Sequence, residues 1–226
     1  MDFSPLLVQL ERIAHGALLT LELSFTAIAI GTMVGTAGAI SATYGNATVR
    51  RCVSVYVESI RNTPFLIQLF LVFFGLPSLG IQVNALSAAL LTMSVNLGAY
   101  ATEIIRAGVQ SIHHTQIEAA YALAMTRWQM IRHVILLPAF EKVYPSLASQ
   151  FTLMMLTSSV ISTIGVEELT SVASQIDSLT FRTFETYILV MMIYVAMSLV
   201  LRAVFFGMGQ LVFKRKRRIS QAGAPQ

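Results

Sequence analysis

"FETYILVMMIYVAMSLVLRAVFFGMGQLV", residues 184–212, is apolar for longer than the about 20 residues a helix needs to cross the hydrocarbon core of a bilayer. Four further stretches read the same way: 16–43, 53–77 with Pro64 interrupting it, 85–110 and 145–166. They are too long and too many for core helices or a signal peptide. The totals agree. Of 226 residues, 55% are hydrophobic and 12% are charged, against about a quarter charged in a soluble domain, so most of the surface must meet lipid or other protein. The expected fold is all-α, a polytopic membrane protein with five transmembrane helices in a single transmembrane domain over 1–226. No internal repeat, low-complexity region, separate soluble domain or cleavable leader is expected.

Charge placement sets the orientation. The tail "KRKRR", Lys214 to Arg218, is the largest basic cluster, so the positive-inside rule puts it in the cytoplasm. Alternating back through five spans makes the loop with Arg50 and Arg51 cytoplasmic, and likewise 111–144 with Arg127, Arg132 and Lys142. The outside receives 1–15, 76–84 and 167–183, which hold Asp2, Glu11, Glu167, Glu168 and Asp177 against Arg12 and Arg182. The N-terminus is thus expected outside and the C-terminus inside. Because the basic residues collect at span ends, the net charge of +4 reports topology and does not point to nucleic acid. The single cysteine, Cys52, excludes an internal disulfide and falls short of a cysteine-based metal site. No G-x-x-x-x-G-K-[ST] loop is present to cradle nucleotide phosphates, so if ATP drives this chain another chain binds the ATP.

Between spans three and four lies a polar module, "TQIEAAYALAMTRWQMIRHVILLP", residues 115–138. Thr115 and Glu118 have the spacing of a capping box and predict a helix over about 116–124. Thr126 and Gln129 repeat it and predict a second helix to about 136, ended by Pro138. Ala119, Ala120 and Ala122 offer small contact residues at the cytoplasmic surface, and Trp128 an interfacial anchor. On caps alone the module is equally a simple connector, with Glu118 only a cap.

The motifs around it carry a resemblance. Glu118-Ala-Ala, a small residue at Ala124 and a hydrophobic run to Pro138 resemble the "EAA" loop of permease subunits of ATP-binding-cassette importers. "YVESIRNTPFLIQLFLVFFGLP" (56–77), "NLGAYATEIIRAGVQSI" (96–112) and "STIGVEEL" (162–169) resemble the second, third and fourth spans of the branch that imports polar amino acids. The resemblance covers about residues 14 to 212. It implies the type I importer permease fold in a bacterial cytoplasmic (inner) membrane. The EAA segment would be a coupling helix, with Glu118, Ala119, Ala120 and Ala124 at the dock. The implied partners are a second, similar or identical permease, two ATPase subunits that hold ATP and Mg, and a periplasmic or external substrate-binding protein. This chain itself would carry no cofactor, metal or catalytic residue. Three positions depart from the pattern: Ala124 where glycine is usual, Pro138 one residue late, and Leu156-Thr157 where a lysine and a polar residue often stand.

Ionisable residues inside spans are costly and mark bundle interiors. Glu58 and Arg61 are one turn apart, as are Glu103 and Arg106, so each pair can neutralise itself or join a cross-helix network at an inner gate. Glu22 lies in the outer half of span one. A polar path is expected from Asn62, Thr63 and Gln68 beside Pro64, Asn96 and Tyr100 on span three, and Thr157, Ser158, Ser159 and Ser162 on span four. Such hydroxyls also bond their own helix's carbonyls. Without fixed charge strong enough to trap it, these groups suit a zwitterionic amino acid or derivative. The competing readings are an ion-coupled secondary transporter using Glu103 and Arg106, which would be expected to contain paired repeats, and a non-transporting scaffold.

Overall fold

The computed structural model describes residues 8–213, and among them every regular element is helical. Residues 1–7 and the basic run Lys214 to Arg218, on which the orientation partly rests, lie outside the described residues. In chain order the helices are α1 (Leu10–Tyr44), α2 (Ala47–Arg61), α3 (Phe65–Ser78), α4 (Ala85–Gln110), α5 (His114–Ala122), α6 (Arg127–Ile164), α7 (Leu169–Thr180) and α8 (Thr183–Phe213). By length and apolarity α1, α4, α6 and α8 can each cross a membrane. The pair α2 and α3 qualifies only together, which gives up to five crossings.

Within 53–77 the helix is sharply broken at Pro64: α2 and α3 meet at 109°. Pro64 bars helical geometry in the residue before it and donates no amide. The chain therefore stops at Arg61 and restarts at Phe65. Gln68 repairs the break. Its side-chain nitrogen donates to the carbonyls of Ile60 (2.7 Å) and Thr63 (3.0 Å), while its oxygen accepts from Asn96 Nδ2 of α4 at 2.9 Å.

A correction concerns Pro138, which does not end a helix. Arg127 to Ile164 runs on as α6, with a widened π segment at Met130–Leu136 immediately before the proline. A π turn gives room for the ring and for the missing amide. The helix that carries the fourth span thus starts well before residue 145, and α6, at about 1.5 Å per residue, is longer than one bilayer crossing needs.

The core forms where α1 lies against α4. A Cβ on Gly35 would stand 2.4 Å from the Ala101 Cβ and 2.9 Å from the Thr102 backbone nitrogen, so only a bare Cα permits this approach. Gly35→Leu is expected to drive the two helices apart and to lower the yield of folded protein severalfold, measured as the detergent-stable fraction after membrane extraction. Overpacking of a closed contact typically costs about 1–3 kcal/mol or more.

Residues 167–183, expected as an outer loop, contain α7. Gly165, left-handed at φ +84°, turns the chain out of α6, and Leu169, Val172, Ala173 and Ile176 are the buried face of the new helix.

Candidate functional site

Two features occupy the same end of the bundle. One is a charged cavity of about 390 Å³ between the C-terminal end of α1, α2 and α4. Arg50, Glu58 and Arg61 reach it from α2, and Glu103 and Arg106 from α4. Lys142 Nζ donates to the Ser111 carbonyl at 2.8 Å, which ties the end of α4 to α6. Counting back from Ser111 at about 1.5 Å per residue, Arg106 and Glu103 sit roughly 8 and 12 Å further into the bundle.

Inside the cavity Arg106 Nε donates to Glu103 Oε2 at 3.1 Å, and a second, shorter contact joins Arg106 Nη2 to Glu103 Oε1. The expected Glu58–Arg61 pair is not among the contacts. Glu58 instead accepts from the Ser54 hydroxyl at 2.8 Å, one turn back on α2. Arg61, the last residue of α2, leans across to α4 and places its guanidinium 5.4 Å from the centre of the Tyr100 ring. The link between the two helices here is therefore cation–π, of order 0.5–1 kcal/mol at an exposed site. The cavity gathers three guanidinium groups against two carboxylates, and Arg50 is the member that the sequence reading did not include.

The polar-path residues divide. Asn62 and Thr63 are exposed at the break between α2 and α3. Gln68 and Asn96 are buried, and Gln68 is taken up by the break and by Asn96, so these two brace the fold instead of lining an open path. Thr157, Ser158, Ser159 and Ser162 all donate back to carbonyls of their own helix, to Leu153, Met155, Leu156 and Ser159 respectively, at 2.6–2.9 Å. Ser158 is fully buried. The segment Ser158–Ile164 winds as a 3₁₀ helix, which fits hydroxyls bonding three residues back.

The second feature is the hairpin of α5 and the start of α6. Its first expected capping box does not form. His113 takes the extended backbone of the N-cap, so Thr115 falls inside the first turn and its hydroxyl lies 2.9 Å from His113 Nδ1. Glu118 is exposed. The second box does form: Thr126 N donates to Gln129 Oε1 at 2.9 Å, and Gln129 N to Thr126 Oγ1 at 3.3 Å. Ala124 holds the left-handed turn between the two helices at φ +52°, where the family pattern has glycine. Ala120 is only 2% exposed and shares the buried cluster with Met130 and Ile135, so it packs the hairpin onto α6 and is not available as an outward contact. The outward surface is Glu118, Ala119, Tyr121, Ala122, Leu123 and Trp128, with Leu123 76% exposed.

At the opposite end, Glu168 is a residue whose role the sequence reading missed. Its carboxylate is fully buried and caps α7, accepting from the amides of Thr170 and Ser171 at 2.9 Å and from the Tyr194 hydroxyl of α8 at 2.8 Å. Burial pushes its pKa up, and the hydrogen bonds it accepts oppose that rise. Thr20 of α1 accepts from the Leu169 amide at 3.2 Å. The outer helix is thereby pinned to both α1 and α8. Among the described residues no cluster of three metal-binding side chains occurs.

The fold also occurs in known proteins. Residues 16–218 match the model for the binding-protein-dependent transport system inner membrane component. The glutamine transport system permease protein GlnP of Escherichia coli (strain K12) is 33% identical over 202 residues, covering 88% of this chain and 92% of that protein. The arginine transport system permease protein ArtQ of Bacillus subtilis (strain 168) is 30% identical over 202 residues, covering 89% and 92%. A crystal structure of an amino acid ABC transporter with histidines superposes with a TM-score of 0.84 at 34% identity, over 93% of this chain and 98% of that one. The inward-facing MetNI methionine ABC transporter shares the fold, with a TM-score of 0.77 at 19% identity. With nearly the whole chain inside the matched region, this protein belongs to the family of binding-protein-dependent transport system inner membrane components.

Proposed function

We propose that this chain moves a polar amino acid or amino-acid derivative inward across the inner membrane, as one permease of a pair around a central path. Two ATPase subunits dock on the α5–α6 hairpin and hold the ATP and Mg, and an external binding protein delivers substrate at the α7 end. The chain performs no covalent chemistry. The hairpin end is cytoplasmic in this reading, the N-terminus outside and the C-terminus inside. The observation that carries it is the similarity over 88–93% of the chain, at 30–34% identity, to permeases named for glutamine and arginine transport and to an amino acid transporter of known structure. The cavity adds chemical sense. The Arg61–Tyr100 stack at the inner end can part as α2 and α4 separate, while the Glu103–Arg106 pair stays within α4. Family membership also leaves the ion-coupled carrier without support.

The test is uptake into proteoliposomes by the complete importer, offered a panel of labelled basic, acidic and neutral polar amino acids and opines. Accumulation of at least one of them is expected only with ATP at the ATPase side and binding protein on the other. Uptake that follows an ion gradient without ATP would overturn the reading.

A further inference from the structure

The last part of α6 is wound differently from the run before it. Leu137–Thr157 is α-helical, whereas Ser158–Ile164 is a 3₁₀ helix of seven residues, closed by Gly165 at φ +84°. Runs of 3₁₀ longer than about four residues are uncommon, and inside a helix they mark hinges or strain. The local sequence does not require one here. Ser158–Ile164 contains no proline and no glycine, so every residue in it can also be α-helical.

Packing selects the tighter winding. Ser158, Ile161 and Ile164 are the buried residues of the segment, and their spacing of three makes one straight edge at three residues per turn. In an α-helix, at about 100° per residue, the same three would fan over about 120° of the surface. The hydroxyls of Ser158, Ser159, Ser162 and Thr163 each donate to the carbonyl three residues back, at 2.6–2.9 Å. Thr157, the last residue of the α run, donates four back. Such hydroxyls can hold a carbonyl at either spacing, so they support either winding.

Both ends of α6 are held by α8. Tyr144 donates to the Phe205 carbonyl at 2.7 Å, and beyond Gly165 the Glu168 carboxylate accepts from the Tyr194 hydroxyl at 2.8 Å. The seven residues rise about 2.0 Å each as 3₁₀ and about 1.5 Å each as α, a difference of about 3.5 Å. No hydrogen bond survives stretching by that amount, so α winding breaks one of the two ties. Lys142 on the Ser111 carbonyl adds a second hold at the Tyr144 end, so the Glu168 tie is the one that gives.

We propose that Ser158–Ile164 is a joint that alternates between 3₁₀ and α winding during the transport cycle. In the first state α7 is latched to α8 through Glu168 and Tyr194, and in the second it is released. The proposal rests on the reading of the chain as an ATP-driven permease and not on which solute it carries.

The experiment is double electron–electron resonance on the complete importer in lipid bilayers, with Cys52→Ser as background. Unlabelled permease is mixed in excess, so that each importer carries one labelled pair. Spin labels at Leu153 and Glu167 bracket the joint, and labels at Leu137 and Leu153, all exposed positions, bracket only the α run. Between the nucleotide-free and ATP-bound states the first distance is expected to change by about 3 Å and the second by less than about 1 Å. Tyr194→Phe removes the latch bond and should populate the second distance without nucleotide. Replacing Ser159, Ser162 and Thr163 together by Ala, a stronger helix former, should do the same. One unchanged Leu153–Glu167 distance in every nucleotide state would overturn the proposal. So would an equal change at Leu137–Leu153, since α6 would then be deforming as a whole. A wild-type change that Tyr194→Phe leaves untouched would also overturn it, because winding and latch would be independent. The expected changes in an importer that accumulates no amino acid would uphold the joint and overturn the proposed solute class instead.

Discussion

Glu103→Lys is expected to abolish most ATP-driven uptake, and Glu103→Lys with Arg106→Glu to recover part of it. In the native cavity Glu103 holds Arg106 through two contacts and stands with Glu58 against three guanidinium groups. Reversal puts four cations around one carboxylate that is already bonded to Ser54. Like charges forced together in a partly desolvated site cost several kcal/mol, which corresponds to at least roughly a tenfold loss of rate. The double reversal restores an attractive pair on the same turn of α4, with the polarity of the pair inverted relative to Arg50 and Arg61. Recovery should therefore be partial. Initial uptake rates in proteoliposomes, normalised to importer content, make the measurement. A double variant no better than the single one would reduce Glu103–Arg106 to local neutralisation.

Arg61 adds a discriminating control. Tyr100→Leu removes the aromatic face under the guanidinium but no charge, so its effect should be far smaller than that of Glu103→Lys.

The parts legible in the sequence are those whose signal is local. The crossings α1, α4 and α8 follow from apolar length alone, and the second capping box follows from Thr126 and Gln129 standing three apart. What was not legible depends on contacts distant in sequence. The side-chain bond from Asn96 to Gln68 joins residues 28 apart, and it turns two apparent path residues into braces of a broken helix. Pro64 and Pro138 look alike in a sequence, yet one ends a helix and the other rides in a π-widened one. The difference lies in whether the turn before the ring can expand. Helix α7 was readable after all: Leu169, Val172, Ala173 and Ile176 carry the 3.6-residue period, but acidic neighbours and a short length made the segment look like a loop. The burial of Ala120 was out of reach, because helical spacing does not say which side of a short surface helix its own chain will cover.

That burial separates two substitutions that sequence alone would treat as equivalent. Ala119→Trp adds bulk on the exposed side of α5, so the protein should still insert, resist protease as the wild type does and retain the second permease. Coupling should fail, with ATP hydrolysis no longer stimulated by substrate and uptake reduced at least roughly tenfold, because docking tolerates a misfit ring poorly at the centre of an interface. Leu123→Asp should act the same way, through loss of a side chain 76% exposed on the turn that faces outward. Ala120→Trp has a different expected outcome. The residue is 2% exposed and belongs to the cluster that holds α5 against α6, so overpacking of about 1–3 kcal/mol or more should loosen the hairpin itself and expose it to protease. Ala124→Gly runs the other way. It removes the left-handed strain of an alanine at φ +52°, about 1 kcal/mol, and should leave uptake normal while firming the hairpin. Limited proteolysis and co-purification with the ATPase, read side by side on the four variants, separate a lost dock from a lost fold. If Ala119→Trp and Leu123→Asp both keep the ATPase and transport normally, the hairpin is only a connector between α4 and α6.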